Sequence, residues 1–254
     1  VAGSRINRRA SDWGERVSCE LSIIMPAYNE AGSIVAAIAD IQADVLSVVP
    51  DAEILVIDDG STDATLSLLQ QAAQSEPRLR IVSQVNAGHG PALMRGLAEA
   101  QGRSFLLLDS DRQIKLEQFA SDWAMMARDD LIAIIGIRRP RHDPFHRLVI
   151  TRLMKALIFL TFGVTPKDAG VPYKILRREA WDKARPFILE RSWIPSVLTA
   201  LILLRTEPKR VREVTVVHLA RDNGTSALNY RRLARFCRHA SAEILKLRRD
   251  LRRI

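Results

Sequence analysis

The chain is poor in cysteine and in long apolar runs, and it carries fewer acids than bases. Cys19 and Cys237 are its two cysteines. They lie far apart in no metal-ligand spacing and read as reduced thiols of a cytosolic protein. No stretch reaches the roughly 20 apolar residues that span a bilayer. The longest candidates, 156–164 and 194–204, suit buried helices or segments resting on a membrane. Arg5, Arg8 and Arg9 are followed by no apolar run, so no signal peptide is expected, and residues 1–20 read as a mobile tail. There is no internal repeat and no low-complexity tract, which argues against broad disorder.

What is present is a chain of 254 residues, 47% hydrophobic, long enough to bury a substantial core in one large domain or a domain with an appendage. Lys and Arg number 38 against 29 Asp and Glu, a net charge of +9. Such an excess suits a polyanionic partner: nucleic acid, an anionic membrane surface or a phosphorylated substrate. Nine of the basic residues and two of the acids fall in 229–254, so most of the excess sits on one terminal segment.

Short apolar runs alternate with helical stretches from 21 to 137. Strands are expected at 21–26 (closed by Pro26), 53–57, 80–83, 105–108 and 131–137, with helices at 31–46, 64–73, 92–100 and 116–127. Asp63 and Thr62 are expected to cap the helix that follows them. Farther on, 146–162 and 194–204 read as helices and 171–176 and 211–217 as strands. This alternation predicts an α/β fold whose mainly parallel sheet is flanked by helices. Ligands of such open sheets sit beyond the carboxyl ends of the strands. Glu30, Asp58/Asp59 and Asp109/Asp111 all fall there. Asp109-Ser110-Asp111, directly after the apolar run Phe105–Leu108, places two carboxylates one residue apart. That arrangement suits Mg2+ or Mn2+, hard cations that take few protein carboxylates and complete their shell with substrate phosphate.

Four motifs then carry a resemblance. Pro26-Ala27-Tyr28-Asn29-Glu30, Val56-Ile57-Asp58-Asp59-Gly60-Ser61-Thr62-Asp63, Asn86-Ala87-Gly88-His89-Gly90 and Leu108-Asp109-Ser110-Asp111-Arg112-Gln113 occur in the order and spacing of family-2 glycosyltransferases. The chain resembles that family over about 21–230, which implies a GT-A fold with a Rossmann-like nucleotide half. A narrower resemblance, to polyprenyl-phosphate sugar transferases of the dolichol-phosphate-mannose-synthase type, rests on three stretches. They are 135–147, Asp168-Ala169-Gly170-Val171-Pro172-Tyr173-Lys174 and Arg221-Asp222-Asn223-Gly224-Thr225-Ser226. That group usually shows Gly-Phe before the lysine, where this chain has Val171-Pro172-Tyr173, and often Lys after the final Ser, where it has Ala227.

The resemblance implies a nucleoside-diphosphate sugar as donor, GDP- or UDP-linked. Pro26, Ala27, Tyr28 and Glu30 would line the nucleoside pocket, with Tyr28 stacked on the base or simply packed in its loop. Asp58 would hold the nucleoside. Asp109 would sit by the ribose or the metal, Asp111 would be the direct ligand, and Gln113 matches a position near the metal. The acceptor would be a lipid phosphate, and Arg138, Arg147 and Arg221 are candidates for holding it and the leaving diphosphate, with Ser226 as a further donor. Asp168 would contact the sugar hydroxyls, or serve as base if the acceptor were an alcohol. His89 is read as structural or nucleotide-facing, and His218 as packing.

The implied partition is a tail at 1–20, a transferase domain at 21–228 and a basic amphipathic C-terminal helix at 229–254. Apolar residues at 233, 236, 240, 244, 247, 251 and 254 make one stripe on that helix. The stripe suits a membrane interface, its own domain or a second copy of the chain in a homodimer. A cytoplasmic protein attached peripherally to the membrane is the resulting expectation. A transferase acting on a soluble alcohol or amine is the rival. Nucleic-acid binding is disfavoured, because acids at the sheet edge repel a phosphate backbone.

Overall fold

Alternating apolar runs and amphipathic stretches build a seven-stranded sheet flanked by helices. The computed structural model describes residues 17–139, 145–219 and 230–251, with the side chains of 145–151 and 230–233 left out of the description. Residues 1–16, Arg221 and Ser226 therefore lie outside the described residues, as does the side chain of Arg147.

The strands are β1 (Cys19–Ala27), β2 (Ala52–Asp58), β3 (Leu79–Ser83), β4 (Gly102–Leu107), β5 (Ala133–Arg139), β6 (Lys174–Arg177) and β7 (Val211–Val217). The helices are α1 (Ile34–Ile41), α2 (Thr65–Ser75), α3 (His89–Glu99), α4 (Phe119–Arg128), α5 (Phe145–Phe162), α6 (Arg178–Ala184), α7 (Pro195–Thr206) and α8 (Tyr230–Leu251). In space the strands run β3-β2-β1-β4-β6-β5-β7. The pairings β1–β2, β1–β4, β2–β3 and β5–β7 are parallel, while β6 is antiparallel to both its neighbours. The expectation of a mainly parallel α/β sheet is met.

Burial explains the strand sequences. From Leu21 to Ala27 every residue of β1 is buried, the pattern of a strand covered on both faces. Helix α3 packs so closely on it that a Cβ at Gly96 would lie 2.3 Å from Ile24 Cγ2. Within the core, the Tyr173 hydroxyl donates to Asp122 Oδ2 at 2.8 Å, and burial raises the carboxyl's pKa above its ordinary range.

Several local expectations are corrected. Pro26 does not close β1, but pairs with Ile57 inside the ladder. The β4 ladder stops at Ile24, so no neighbour on that side requires the N–H that proline lacks. Helix α3 starts at His89 rather than after Pro91, because a proline in the first turn removes a donor that has no intrahelical partner. The helix expected over 31–46 is α1 followed by a π-helical turn at Gln42–Leu46. Asp63 Oδ1 accepts the Thr65 N–H at the start of α2, whereas the Thr62 N–H donates to Asn29 Oδ1. Neither residue is the N-cap, which is Ala64; Asp63, one residue before it, meets the first N–H of the helix. Helix α6, absent from the sequence reading, follows β6 without a connecting residue.

The stripe on α8 is settled in favour of its own domain. Ala240, Ile244 and Leu247 are buried in the common core and Leu251 packs at its margin, while Phe236 is 40% exposed. Residues 233 and 254 lie outside the description of side chains. Helix α5 behaves differently: it buries Ile158 and Phe162 but exposes Leu153, Phe159 and Leu160. Among the described residues no helix is long and apolar enough to cross a membrane.

Glu76 ties the turn between α2 and β3 to the π-helical turn. Its carboxylate accepts Arg78 Nε at 2.8 Å, Arg78 Nη2 at 2.9 Å and Gln42 Nε2 at 2.9 Å. Hydrogen bonds from Arg78 outweigh the effect of burial and hold its pKa at about 2, against an ordinary 4.5. A depressed carboxyl pKa stabilises the fold fully above the unfolded value and loses that stabilisation as pH falls toward the folded value. Replacing Glu76 by Gln is expected to lower stability at pH 7 by roughly 1–3 kcal/mol, discounted because Arg78 is partly exposed. It should also flatten the loss of stability between pH 4.5 and about 2, as read by urea unfolding across that range.

Candidate active site

The topology delivers all the expected acidic motifs to one edge of the sheet. Strands β1, β2 and β4 are parallel, so their carboxyl ends meet there, with Ala27 opposite Asp58 and Asp58 opposite Ser83. Because β6 runs the other way, its first residue reaches the same edge: Lys174 lies between Leu107 of β4 and Ile135 of β5. The segment preceding Lys174 therefore borders the loop of Asp109 and Asp111.

Hydrogen bonds stitch the first two loops together. Asn29, with a left-handed φ of 55°, donates its N–H to Ser61 Oγ, and Glu30 N–H donates to Thr65 Oγ1 at 2.8 Å. Ser33 Oγ donates to Glu30 Oε2 at 2.8 Å. Tyr28 is 46% exposed at the mouth of this loop, and Pro26 and Ala27 form its floor in β1. Asp58 is buried, and its Oδ1 accepts the Ser61 N–H.

Asp59, part of the second motif and of the acidic cluster but given no role of its own by the sequence, organises the third loop. It is 3% exposed and accepts Gln84 Nε2 at 2.7 Å, Ala87 N–H at 2.9 Å and Gly88 N–H at 2.8 Å. Gly88 has φ 96°, a left-handed conformation open to glycine, and it turns the chain into α3. His89 follows, its Nε2 3.8 Å from Asp109 Oδ1.

The Asp109–Asp111 turn is anchored on three sides. Ser110 Oγ donates to the Pro26 carbonyl. Arg112, at φ 58°, pairs with Asp40 of α1 through Nε at 2.7 Å and Nη2 at 3.1 Å. Gln113 and Leu219 exchange bonds: Leu219 N–H donates to the Gln113 carbonyl at 2.8 Å, and Gln113 Nε2 donates to the Leu219 carbonyl at 3.3 Å. Ile114 bridges to the buried His218. The end of β7 and the residues just past it, up to Leu219 two residues before Arg221, are thus joined to the segment that starts two residues after Asp111.

Arg138 and Asp168 meet each other. Arg138 Nε donates to Asp168 Oδ2 at 2.8 Å and Nη2 to Oδ1 at 2.9 Å, with the carboxylate 2% exposed. Lys174, fully buried, donates through Nζ to the Val171 carbonyl at 2.6 Å. Burial lowers its pKa to about 8, with the charges of Asp168 and Asp109 opposing that shift. Asp59, Lys174 and Asp40 are the site's residues that the motif reading did not single out.

For a divalent cation, the donor set is the carboxylate pair of one turn. Asp109 is 37% exposed, and Asp111 accepts the Gln113 N–H through Oδ1. Among the described residues no group of three His, Cys, Asp or Glu forms a cage. Two carboxylates with access to solvent fit a hard cation that draws its other oxygens from a diphosphate.

Residues 22–184 match glycosyl transferase family 2. Undecaprenyl-phosphate 4-deoxy-4-formamido-L-arabinose transferase of Enterobacter sp. is 30% identical over 218 residues, 84% of this chain and 64% of that protein. Dodecaprenyl-phosphate galacturonate synthase of Rhizobium johnstonii is 30% identical over 212 residues, 82% of this chain and 62% of that protein. The chain thus spans less than two thirds of the length of these relatives. Among solved structures, glucosyl-3-phosphoglycerate synthase from Mycobacterium tuberculosis, in complex with Mn2+, UDP-glucose and phosphoglyceric acid, superposes with a TM-score of 0.65 at 21% identity, covering 96% of this chain and 85% of that one. Mannosyl-3-phosphoglycerate synthase from Rubrobacter xylanophilus gives 0.68 at 18% identity, covering 93% and 76%. At these identities the shared property is the fold.

Removing the buried Asp59 carboxylate would take the partner from two backbone N–H groups and one amide of the part-buried underside of an otherwise exposed loop. Asp59→Ala is expected to lower stability by about 2–4 kcal/mol in urea unfolding, with the sheet's circular dichroism retained in the native state.

Proposed function

The chain belongs to glycosyl transferase family 2, and we propose that it moves a sugar from a nucleoside-diphosphate sugar to a polyprenyl phosphate, with inversion at the anomeric carbon. One observation carries this reading: 113–115 is hydrogen-bonded to 217–219, so the Asp109–Asp111 turn and the chain leading into Arg221 share one edge of the sheet. The polyprenyl-phosphate enzymes among its relatives support the acceptor, and the manganese and UDP-glucose bound by its structural neighbour support the donor class.

In this reading Tyr28 stacks on the base, Glu30 and Asp58 hold the nucleoside, and Asp109 and Asp111 hold Mg2+ or Mn2+. The cation, when bound, neutralises the diphosphate as the sugar–phosphate bond breaks. Gln113 supports the turn through Leu219 and so joins the ligand loop to the arginine loop.

A lipid monophosphate has a second pKa of about 6, so it arrives as a ready nucleophile. No base is then required, and Asp168 fits this well. Its carboxyl oxygens are already bridged by the Arg138 guanidinium, and its role is to orient that group beside the sugar. Arg147, Arg221 and Ser226, all outside the described side chains, complete the set of donors for the two anions. The exposed Leu153, Phe159 and Leu160 of α5, with the exposed Arg152, are the surface that meets the bilayer from the cytoplasmic side.

The test is a panel of GDP- and UDP-sugars with manganese, with and without a short-chain polyprenyl phosphate. Lipid-dependent transfer is expected, and Asp111→Ala and Arg221→Ala are each expected to lose at least about a hundredfold in kcat/KM. Equal transfer to a soluble alcohol without lipid would overturn the acceptor, and an active Asp111→Ala would overturn the metal assignment.

A further inference from the structure

The terminal helix carries two acids among its many bases, and one of them is buried. Glu243 is 7% exposed on a helix whose other faces hold Arg and Lys. Local spacing makes it an ordinary member of a charged helix. Its surroundings do not: Oε2 accepts the Ser192 hydroxyl at 2.5 Å, and Oε1 accepts the Trp193 N–H at 2.8 Å. Ser192, itself fully buried, receives the Ile194 N–H on the same oxygen. The Trp193 ring lies flat on His239 of α8, with centroids 4.6 Å apart and an interplanar angle of 7°. Residues 192–194 are therefore held on α8 by two charge-assisted bonds and a stacked ring pair.

The other side of this segment presses on the donor site. A Cβ at Gly90 would lie 2.3 Å from the Ser192 carbonyl oxygen and 2.7 Å from that of Trp193. Such an approach is open only to glycine, and here it is backbone against backbone, with no flexible side chain to yield. Gly90 is the second residue of α3. Immediately before it come His89, beside Asp109, and Gly88, bonded to Asp59. Asp59 fixes the loop that enters α3, but the outer side of the first turn rests on 192–193.

We propose that Glu243 is a positioning residue for the donor site: by clamping Ser192 and Trp193 it holds the first turn of α3, and with it His89, in place beside Asp109. The mechanical link stands on the geometry of this chain, and its consequence for a nucleotide donor rests on the function proposed above. It gives the basic terminal helix a role in the reaction without any contact with substrate.

The full chain and its variants Glu243→Ala, Glu243→Gln, Ser192→Ala and Gly90→Ala test this by hydrogen exchange without ligand. In Glu243→Ala, amides at 88–93 and 190–196 are expected to exchange about tenfold faster, while β4 at 102–107 keeps its wild-type rate. Glu243→Gln, which keeps an acceptor for the Trp193 N–H and a partner for the Ser192 oxygen, should return to within about threefold of wild type. Gly90→Ala should loosen the same two segments from the opposite side. Ser192→Ala removes one of the two bonds and carries the test if Glu243→Ala does not fold. Calorimetric binding of UDP and GDP with manganese chloride should weaken about tenfold in Glu243→Ala and recover in Glu243→Gln. Wild-type exchange at 88–93 in a folded Glu243→Ala or Ser192→Ala would overturn the proposal, as would loosening spread uniformly through β4. Wild-type protein that binds neither nucleotide would overturn the donor reading instead, and exchange would still decide the link.

Discussion

The edge of the sheet is organised around one buried carboxylate, Asp59, and the three N–H donors that converge on it. A loop entering a helix leaves backbone amides without partners, and in a buried position each of these is costly. Asp59 meets two of them and a glutamine amide at once. It also receives no competing task, since its neighbour Asp58 points to the other loop and accepts from Ser61. Two adjacent carboxylates at the end of one strand thereby divide the work. One orders the α3 loop, and the other ties the Ser61 turn at the end of β2. The close contact at Gly90 is possible because Asp59 has already set the path of Gly88.

The reversed strand β6 is the second constraint. In a fully parallel sheet the segment before β6 would emerge at the opposite edge. Running antiparallel, it brings Lys174, Val171 and Asp168 to the edge where Asp109 and Asp111 sit. Lys174 is a buried cation among these acids, and its lowered pKa of about 8 still leaves it mainly charged at neutral pH. Its charge relieves repulsion among carboxylates that would otherwise be crowded, and its hydrogen bond fixes the Val171 carbonyl. The Tyr173 side chain, between these two functions, points into the core and satisfies Asp122.

Much of this was legible in the chain. The strand at Val211–Val217 has the bounds expected of it: Pro208, Lys209 and Arg210 precede it, and four valines and a threonine favour the extended chain. The acidic motifs fall at strand ends because short buried strands have one readable period. What was not legible depends on distance in space. Nothing local distinguishes Asp59 from Asp58, since adjacent residues of a strand differ only in the face to which they point. Arg138 and Asp168 read in the sequence as two separate contacts with substrate, yet the chain folds to make these residues, 30 positions apart, partners. Helix α6 was missed because it is seven residues long, largely polar, and follows β6 with no Gly or Pro between them. The stripe on α8 was correctly seen as a stripe, but periodicity cannot say what covers it. Ser192, Trp193 and the common core supply that answer from residues far away in sequence.

The charge at the edge also bears on which anions can meet there. Glu30, Asp58, Asp59, Asp109, Asp111 and Asp168 all approach one rim. The described cations closest to them are already engaged: Arg138 with Asp168, Arg112 with Asp40, and Lys174 with the Val171 carbonyl. A diphosphate and a lipid phosphate brought to such a rim would repel both it and each other. In the proposed reaction a cation held by the acidic turn would convert its negative charge into affinity for phosphate. Beyond that, guanidinium groups must be supplied from chain segments outside the sheet. The sequence places Arg139 at the end of β5, Arg141 and Arg147 after it and Arg221 after β7, and β5 and β7 are neighbours in the sheet. The proposed reaction between two phosphates would need cations to offset this acidic rim, whereas a neutral alcohol acceptor would call for an unengaged base. The carboxylate best placed for that role, Asp168, is bridged by Arg138.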